Sequence, residues 1–236
     1  VYTVDHIILP GETEATAARK TFLGGKGMNQ SCALARAGVE VYHGGMIGAD
    51  GRVFLDACRE YGVHSEFIRV VDAPTGHTVI QVDKAAQNSI LLFGGANLCL
   101  TEAYADGVLA HFSAGDILLL QNEVNLLPYL VDRAYEKDMD IALNPSPYNE
   151  KLAGVDMGKI GIFLLNEVEG FQLTGEREAD AILDRLAARF PHARVVLTLG
   201  KDGAVYQDGT RRLVQPIFPV DAVDTTAAGD TFTGYF

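Results

Sequence analysis

From Thr101 to Leu199 short, wholly apolar runs alternate with amphipathic stretches, and this rhythm restricts the fold more than any other feature of the chain. The apolar runs are Asp116-Ile117-Leu118-Leu119-Leu120, Ile141-Ala142-Leu143, Ile160 to Leu165, and Val195 to Leu199. They are strand-length and show no polar alternation, as expected of central strands covered on both faces. Between them lie helical patterns: Thr101, a good N-cap, through Phe112, then about Leu126 to Lys137 and Glu178 to Phe190. Such alternation predicts βαβ units and a mostly parallel sheet flanked by helices. Upstream, a helix is expected from Met28 to Ala37 with Gly38 as its stop. A strand over Val39–Ile47, a helix from Val53 to Tyr61 ended by Gly62, and a strand over Val63–Val71 follow. Two segments, 1–22 and 76–94, break the rhythm. Thr78 to Phe93 reads as a hairpin turning near Lys84-Ala85-Ala86-Gln87-Asn88, so a separate small sheet is expected there. The whole of 1–236 reads as one α/β domain.

Charge narrows the choice of partners. The 236 residues carry 31 acids against 19 bases, a net charge of −12, which disfavours nucleic acid and anionic membrane as partners. Any bound phosphate would have to be held by backbone amides, a few Lys or Arg side chains and a metal ion. Cys32, Cys58 and Cys99 are widely spaced, with no C-x-x-C pair, and read as reduced thiols of a cytoplasmic protein. The six histidines show no metal-like spacing. No apolar run approaches the ~18 residues of a membrane span, and no signal-peptide pattern opens the chain. Val1 already stands in a strand-like segment, and Thr231 to Phe236 read as the start of a helix. The sequence is therefore expected to be a portion of a longer chain.

In open α/β sheets, ligands sit beyond the carboxyl ends of the strands. Four polar or glycine-rich segments fall there: Gln121-Asn122-Glu123, Asn144-Pro145, Asn166-Glu167 and Gly200-Lys201-Asp202-Gly203. The sharpest signal is Asp224-Thr225-Thr226-Ala227-Ala228-Gly229-Asp230-Thr231-Phe232, small residues where a loop passes into a helix. Small side chains let phosphate oxygens approach the amides of a helix N-terminus, and Asp230 in the first turn can accept a hydroxyl proton. The same run also describes an ordinary helix start. A second signal is Gly24-Gly25-Lys26-Gly27-Met28-Asn29-Gln30. It has neither Walker A nor G-x-G-x-x-G spacing. It is a glycine turn opening a helix, with Lys26 and Asn29 on one side, and their donors and acceptor suit adjacent sugar hydroxyls. A plain strand–helix turn accounts for it equally well.

Both runs resemble the two signatures of the ribokinase-like sugar kinases, the phosphofructokinase B type. Pro10-Gly11-Glu12-Thr13, Gly94-Gly95-Ala96-Asn97, Asn144-Pro145-Ser146-Pro147 and Asn166-Glu167-Val168-Glu169 resemble further motifs of that family, in the same order. Met28 stands where the family more often has Ala. The resemblance implies a ribokinase-like α/β fold with a small β lid, and an enzyme that transfers phosphate from ATP to the primary hydroxyl of a pentose, ribose foremost. It implies Asp230 as base, and Gly25, Lys26, Gly27, Asn29 and Glu123 on the sugar. Asn166, Thr198, Leu199, Gly200, Lys201, Asp202, Gly203, Ala228 and Gly229 would serve the nucleotide. Glu169 would face Mg²⁺ through water, while Asp224 and Thr226 would serve a K⁺ site. A homodimer through the lid strands is a further expectation. The family also has a sugar-binding Asp before the position of Val1, and adenine and cation residues beyond that of Phe236. Two alternatives stand beside this reading. One is a fructokinase or nucleoside kinase of the same family; the other is a sugar or nucleotide sensor on the same scaffold, which would have no need of Asp230.

Overall fold

The computed structural model describes residues 1–16, 18–85, 87–221 and 225–236. In chain order the elements are β1 (Tyr2–Thr3), β2 (Ala18–Arg19), α1 (Lys26–Arg36), β3 (Gly45–Ile47), α2 (Val53–Tyr61), β4 (Ile68–Val70), β5 (His77–Val82), β6 (Asn88–Phe93) and α3 (Glu102–Leu109). They continue as β7 (Ile117–Gln121), α4 (Leu127–Tyr135), β8 (Asp140–Asn144), β9 (Ile162–Asn166), α5 (Glu167–Thr174), α6 (Ala179–Arg189), β10 (Arg194–Thr198), β11 (Ala204–Gln207), β12 (Arg212–Gln215) and α7 (Ala228–Tyr235).

The main sheet has the order β12-β11-β10-β9-β8-β7. β7, β8, β9 and β10 run parallel, and β11 and β12 add an antiparallel edge. The apolar runs of the sequence become these four parallel strands; β8, β9 and β10 bury both faces, while β7, at the sheet edge, is only partly covered. On one face Phe163, Leu165, Leu143 and Leu197 pack with Val131 of α4 and Leu183 of α6. On the other, Ile162, Leu164, Ala142 and Val196 pack with Phe232 of α7. Odd and even positions of one strand thus enter different cores, as the two-residue period of a strand requires.

Segments from the two ends of the N-terminal region form a second sheet, order β2-β1-β5-β6. The β5–β6 hairpin pairs His77 with Phe93 through to Val82 with Asn88, and Asp83 accepts from the Ala85 and Gln87 amides in the turn. Two strands expected from the sequence are much shorter than their apolar patterns. Of 39–47 only β3 is strand, and of 63–71 only β4, paired in a two-stranded sheet of their own. Upstream of that pair Tyr42 stacks on His64 at 4.4 Å, joined by a single bridge. His43 N–H donates to the His64 carbonyl and His64 N–H to the Val41 carbonyl, so the pairing there is one bridge, which a β-like sequence does not distinguish from a ladder.

Helix α1 begins at Lys26, two residues earlier than its apolar pattern, because Gly25 reaches φ 96° at the N-cap and turns the chain. Helix α3 is capped as expected, Thr101 Oγ1 accepting from the Tyr104 amide. Helix α7 lies directly on α1. A Cβ added at Gly234 would stand 2.3 Å from the Ala33 Cβ and 2.7 Å from the Leu34 backbone nitrogen, so this approach requires glycine. Gly234→Ala should therefore lose about 1–3 kcal/mol of unfolding free energy by overpacking. A urea midpoint unchanged from wild type would show that the helices part without cost.

Candidate active site

Register brings the strand-end residues to one edge. Gln121 pairs with Asn144 and Asn166 with Thr198, so the carboxyl ends of β7, β8, β9 and β10 stand level. Above β8, β9 and β10 lies a cavity of about 240 Å³. Asn144, Asn166 and Thr198 line it from the strand ends, Glu169 from α5, and Lys26 from α1. The first turn of α7 closes it with Ala228, Gly229 and Asp230.

Asp230 is buried at 8 % exposure, yet neither carboxylate oxygen is stranded. Asn29 Nδ2 donates to Oδ2 and Gln30 Nε2 donates to Oδ1, both at 2.9 Å. Gln30, itself fully buried, accepts at Oε1 from Gln121 Nε2 at 2.6 Å. A relay of amides thus runs from β7 through α1 to α7 and fixes the carboxylate at the cavity wall. Each oxygen keeps a second lone pair beyond the one engaged by an amide.

The turn before α7 is tight. Ala227 takes a left-handed conformation, φ 59°, which costs a non-glycine residue about 1–2 kcal/mol. The Ala228 N–H turns back onto the Thr225 carbonyl, and the first helical bond runs from Thr231 N–H to the Ala227 carbonyl. The Gly229 and Asp230 amides lie between these, at the positive end of the helix. Helix α5 starts with a reciprocal cap. Asn166 Oδ1 accepts from the Glu169 N–H and Glu169 Oε2 accepts from the Asn166 N–H, both at 2.9 Å. Glu169 is thereby held facing the cavity, with its other oxygen outside the cap.

A second cavity, of about 130 Å³, adjoins on the side of β7. Gly27, Gln121 and Glu123 line it. Glu123 Oε2 accepts from the Lys26 N–H at 3.2 Å. Burial holds the Glu123 carboxyl above its ordinary range; the nearby Lys26 charge lowers it, and Asp230 raises it further. The two carboxylates therefore sense one another across the seam between the cavities.

The residues singled out in the sequence are not all brought together. Lys26, Asn166, Glu169, Thr198, Ala228, Gly229 and Asp230 meet at the larger cavity, and Gly27 and Glu123 at the smaller. Asn29 reaches the site through Asp230, and Gly25 shapes the turn before α1. Leu199, Gly200, Lys201, Asp202 and Gly203 form a tight turn between β10 and β11, closed by Leu199 N–H to the Gly203 carbonyl, and do not line either cavity. Thr226 is exposed beside the cavity, and Asp224 lies outside the described residues. Sequence reasoning missed Gln30 and Gln121 as the supports of Asp230. Gln30 lay inside the Gly24–Gln30 run, but its partner is 200 residues away.

Residues 1–236 match the pfkB family of carbohydrate kinases throughout. The chain belongs to that family. It is similar to the ribokinase of Haemophilus influenzae, 36% identical over 246 residues that span all of this chain and 80% of that protein. It is 33% identical over 240 residues to the ribokinase of Bacillus subtilis, again covering all of this chain and 80% of the relative. The solved structure of Arabidopsis thaliana ribokinase, complexed with ribose and ATP, superposes with a TM-score of 0.81 at 28% identity, over 99% of this chain and 79% of that one. The protein is an ATP-dependent sugar kinase with the ribokinase-like α/β fold. Among the described residues no helix is long and apolar enough to cross a membrane.

The half-buried Glu123 of this kinase has a consequence for stability. Its raised pKa favours the folded state fully below the ordinary carboxylate value of 4.5, and that contribution is lost as pH rises through the raised value. Glu123→Gln carries no such loss. The variant is expected to gain stability relative to wild type as pH goes from below 4.5 to neutrality, read by urea unfolding at both ends. A difference between the two proteins that does not change with pH would remove the assignment.

Proposed function

We propose that this kinase phosphorylates the primary hydroxyl of D-ribose from ATP, with Asp230 as general base. The observation that carries the reading is the Asp230 carboxylate, fixed at the wall of the larger cavity by Asn29 and Gln30. Similarity to ribokinases, one of them solved with ribose and ATP, supports the choice of sugar.

In this mechanism the sugar lies against Glu123, Lys26, Asn29 and the Gly25–Gly27 backbone. Its terminal hydroxyl points at Asp230. As that oxygen bonds to the γ-phosphorus, its proton passes to the carboxylate and ADP departs. The amides of Gly229 and Asp230, at the positive end of α7, face the charge that develops on the transferred group. Ala228 contributes its smallness, since its own amide is taken by Thr225. Thr198 and the turn from Leu199 to Gly203 serve the nucleotide side. Among the described residues no group of three or more His, Cys, Asp or Glu could hold a metal unaided. Glu169, one buried carboxylate beside Asn166, fits Mg²⁺, which binds through one or two carboxylates, water and substrate phosphates. When bound there, Mg²⁺ would neutralise charge on the phosphates. Thr226, with Asp224, is assigned to a K⁺ site on resemblance alone.

The test is steady-state kinetics on a panel of ribose, fructose and nucleosides, with Asp230→Asn alongside. Ribose should give the highest kcat/KM, and the variant should lose on the order of 10²–10⁴-fold in kcat. The side-chain amide introduced by Asp230→Asn keeps one acceptor oxygen for Asn29 or Gln30, so the fold should persist. Turnover of the variant within a few-fold of wild type would end the base assignment, and a preferred fructose or nucleoside would end the ribose claim.

The second sheet acts as lid and dimer contact in this reading. β6 is its edge strand, and all six of its residues are exposed, with Leu91 the most exposed of the apolar ones at 71%. An apolar edge of this kind invites pairing with a second copy. Light scattering should give a dimer for wild type and a monomer for Leu91→Glu. A wild-type monomer would remove the dimer.

A further inference from the structure

The smaller cavity holds a side chain that has no role in the mechanism above. His43 lies just before β3, its backbone N–H donating to the His64 carbonyl at 2.8 Å. Its ring lies against α1, Nδ1 standing 2.8 Å from Ser31 Oγ, and Ser31 is itself buried. The ring fills the space over Gly27: a Cβ there would stand 3.4 Å from His43 Cε1. The imidazole lines the same cavity as Gly27, Gln121 and Glu123. Its second nitrogen, Nε2, has no hydrogen-bond partner among the described residues. His43 is half-buried and lines the cavity, so Nε2 is open to a hydrogen-bonding ligand there.

We infer that His43 is a sugar-binding and specificity-determining residue, whose Nε2 pairs with a hydroxyl at the end of the sugar remote from the one phosphorylated. The inference rests on the sugar-kinase reading above and extends it. Asp230 marks the reacting end, in the larger cavity. Glu123 lies at the seam, and His43 lines the smaller cavity beyond it. A sugar held by Glu123 with its acceptor hydroxyl at Asp230 therefore extends toward His43.

The chemistry of the ring suits this partner. Burial pushes the imidazole down to about 4, so it is neutral at physiological pH. A neutral imidazole offers one N–H and one lone pair, and the Ser31 hydroxyl can complement either nitrogen state at Nδ1. A sugar hydroxyl, both donor and acceptor, pairs with whichever remains at Nε2. A lysine in the same place would instead be drawn to Glu123 and compete with Lys26. Gly24, Gly44, Gly45 and Gly76 line the same cavity, together with the apolar side chains of Met28, Met46, Phe54 and Ile68.

The experiment compares D-ribose with its 1-deoxy and 2-deoxy analogues on wild type, His43→Phe and His43→Gln, by steady-state kinetics and by calorimetric sugar binding. His43→Phe keeps a ring and loses the hydrogen bond. It should raise KM and Kd for ribose on the order of tenfold while kcat stays within about twofold. His43→Gln, which restores a donor and an acceptor, should recover most of the loss. One analogue, weaker than ribose on wild type, should become equal to ribose on His43→Phe. A merely structural histidine would weaken ribose and both analogues alike, and that result overturns the inference. So does a ribose KM unchanged in His43→Phe. His43→Leu is read by the same criteria should the Phe variant fail to fold. Wild type that binds no sugar overturns the ribose reading and this inference together. Wild-type binding with unaltered discrimination in His43→Phe overturns this inference alone.

Discussion

The contact between α1 and α7 is the constraint on which the site depends. The two helices lie 200 residues apart in sequence, and the Asp230 carboxylate joins them through the amides of Asn29 and Gln30. A buried carboxylate without partners costs far more than an ordinary hydrogen bond returns. The acid can therefore stand at the cavity wall only where α1 supplies both donors. Gly234 makes that approach feasible, since any Cβ would meet Ala33. Gln121 then ties Gln30 to the end of β7, so the position of the acid is referred to the sheet itself. One helix start carries Lys26 and Asn29, the other Asp230, and the clasp sets them against each other.

A chain of net charge −12 repels phosphates at long range, so attraction has to be local. The larger cavity answers this with one lysine and the amide end of α7, while its acids are kept engaged. Glu169 is bound into the cap of α5, Asp230 into the clasp, and Glu123 by the Lys26 amide. Each acid at the seam or wall is oriented by an amide before any ligand arrives, which reduces the reorganisation left for the reaction itself.

What the sequence made legible follows from range. β8 to β10 could be read because burial on both faces leaves an unbroken apolar run, a local signal, and the edge strand β7 carries a similar run although it is only partly covered. The polar strand ends were legible for the same reason, and register then set Gln121 beside Asn144 and Asn166 beside Thr198. β3 and β4 were overread because the backbone pairing upstream of them is a single bridge at Tyr42 and His64, not a continuous ladder. β12 left no mark, since all four residues are exposed and Arg212 is held by Asp180, Asp184 and Gln207. Asp230 could be found from its own run of small residues. Gln30 and His43 could not, because a glutamine or histidine within a helical or strand-like pattern has no meaning until its distant partner is placed.

The two cavities divide the labour along the carboxyl edge. The larger cavity, the nucleotide side in the proposed mechanism, is built from strand ends and the amide terminus of α7, parts that suit phosphate on any nucleotide. The smaller cavity, the sugar side in the proposed mechanism, is lined by the side chains of Glu123, Gln121 and His43 beside several glycines. Backbone amides can be kept while the residues around them drift, so the phosphate half constrains reaction type. Side chains can be exchanged one at a time, so the sugar half constrains which alcohol is accepted. Asp230 belongs to both halves: its neighbours on α7 face the phosphate, and its amide donors come from the helix that bears Lys26. That dual membership explains why the acid, its two amide donors and the glycine contact behind them form one unit.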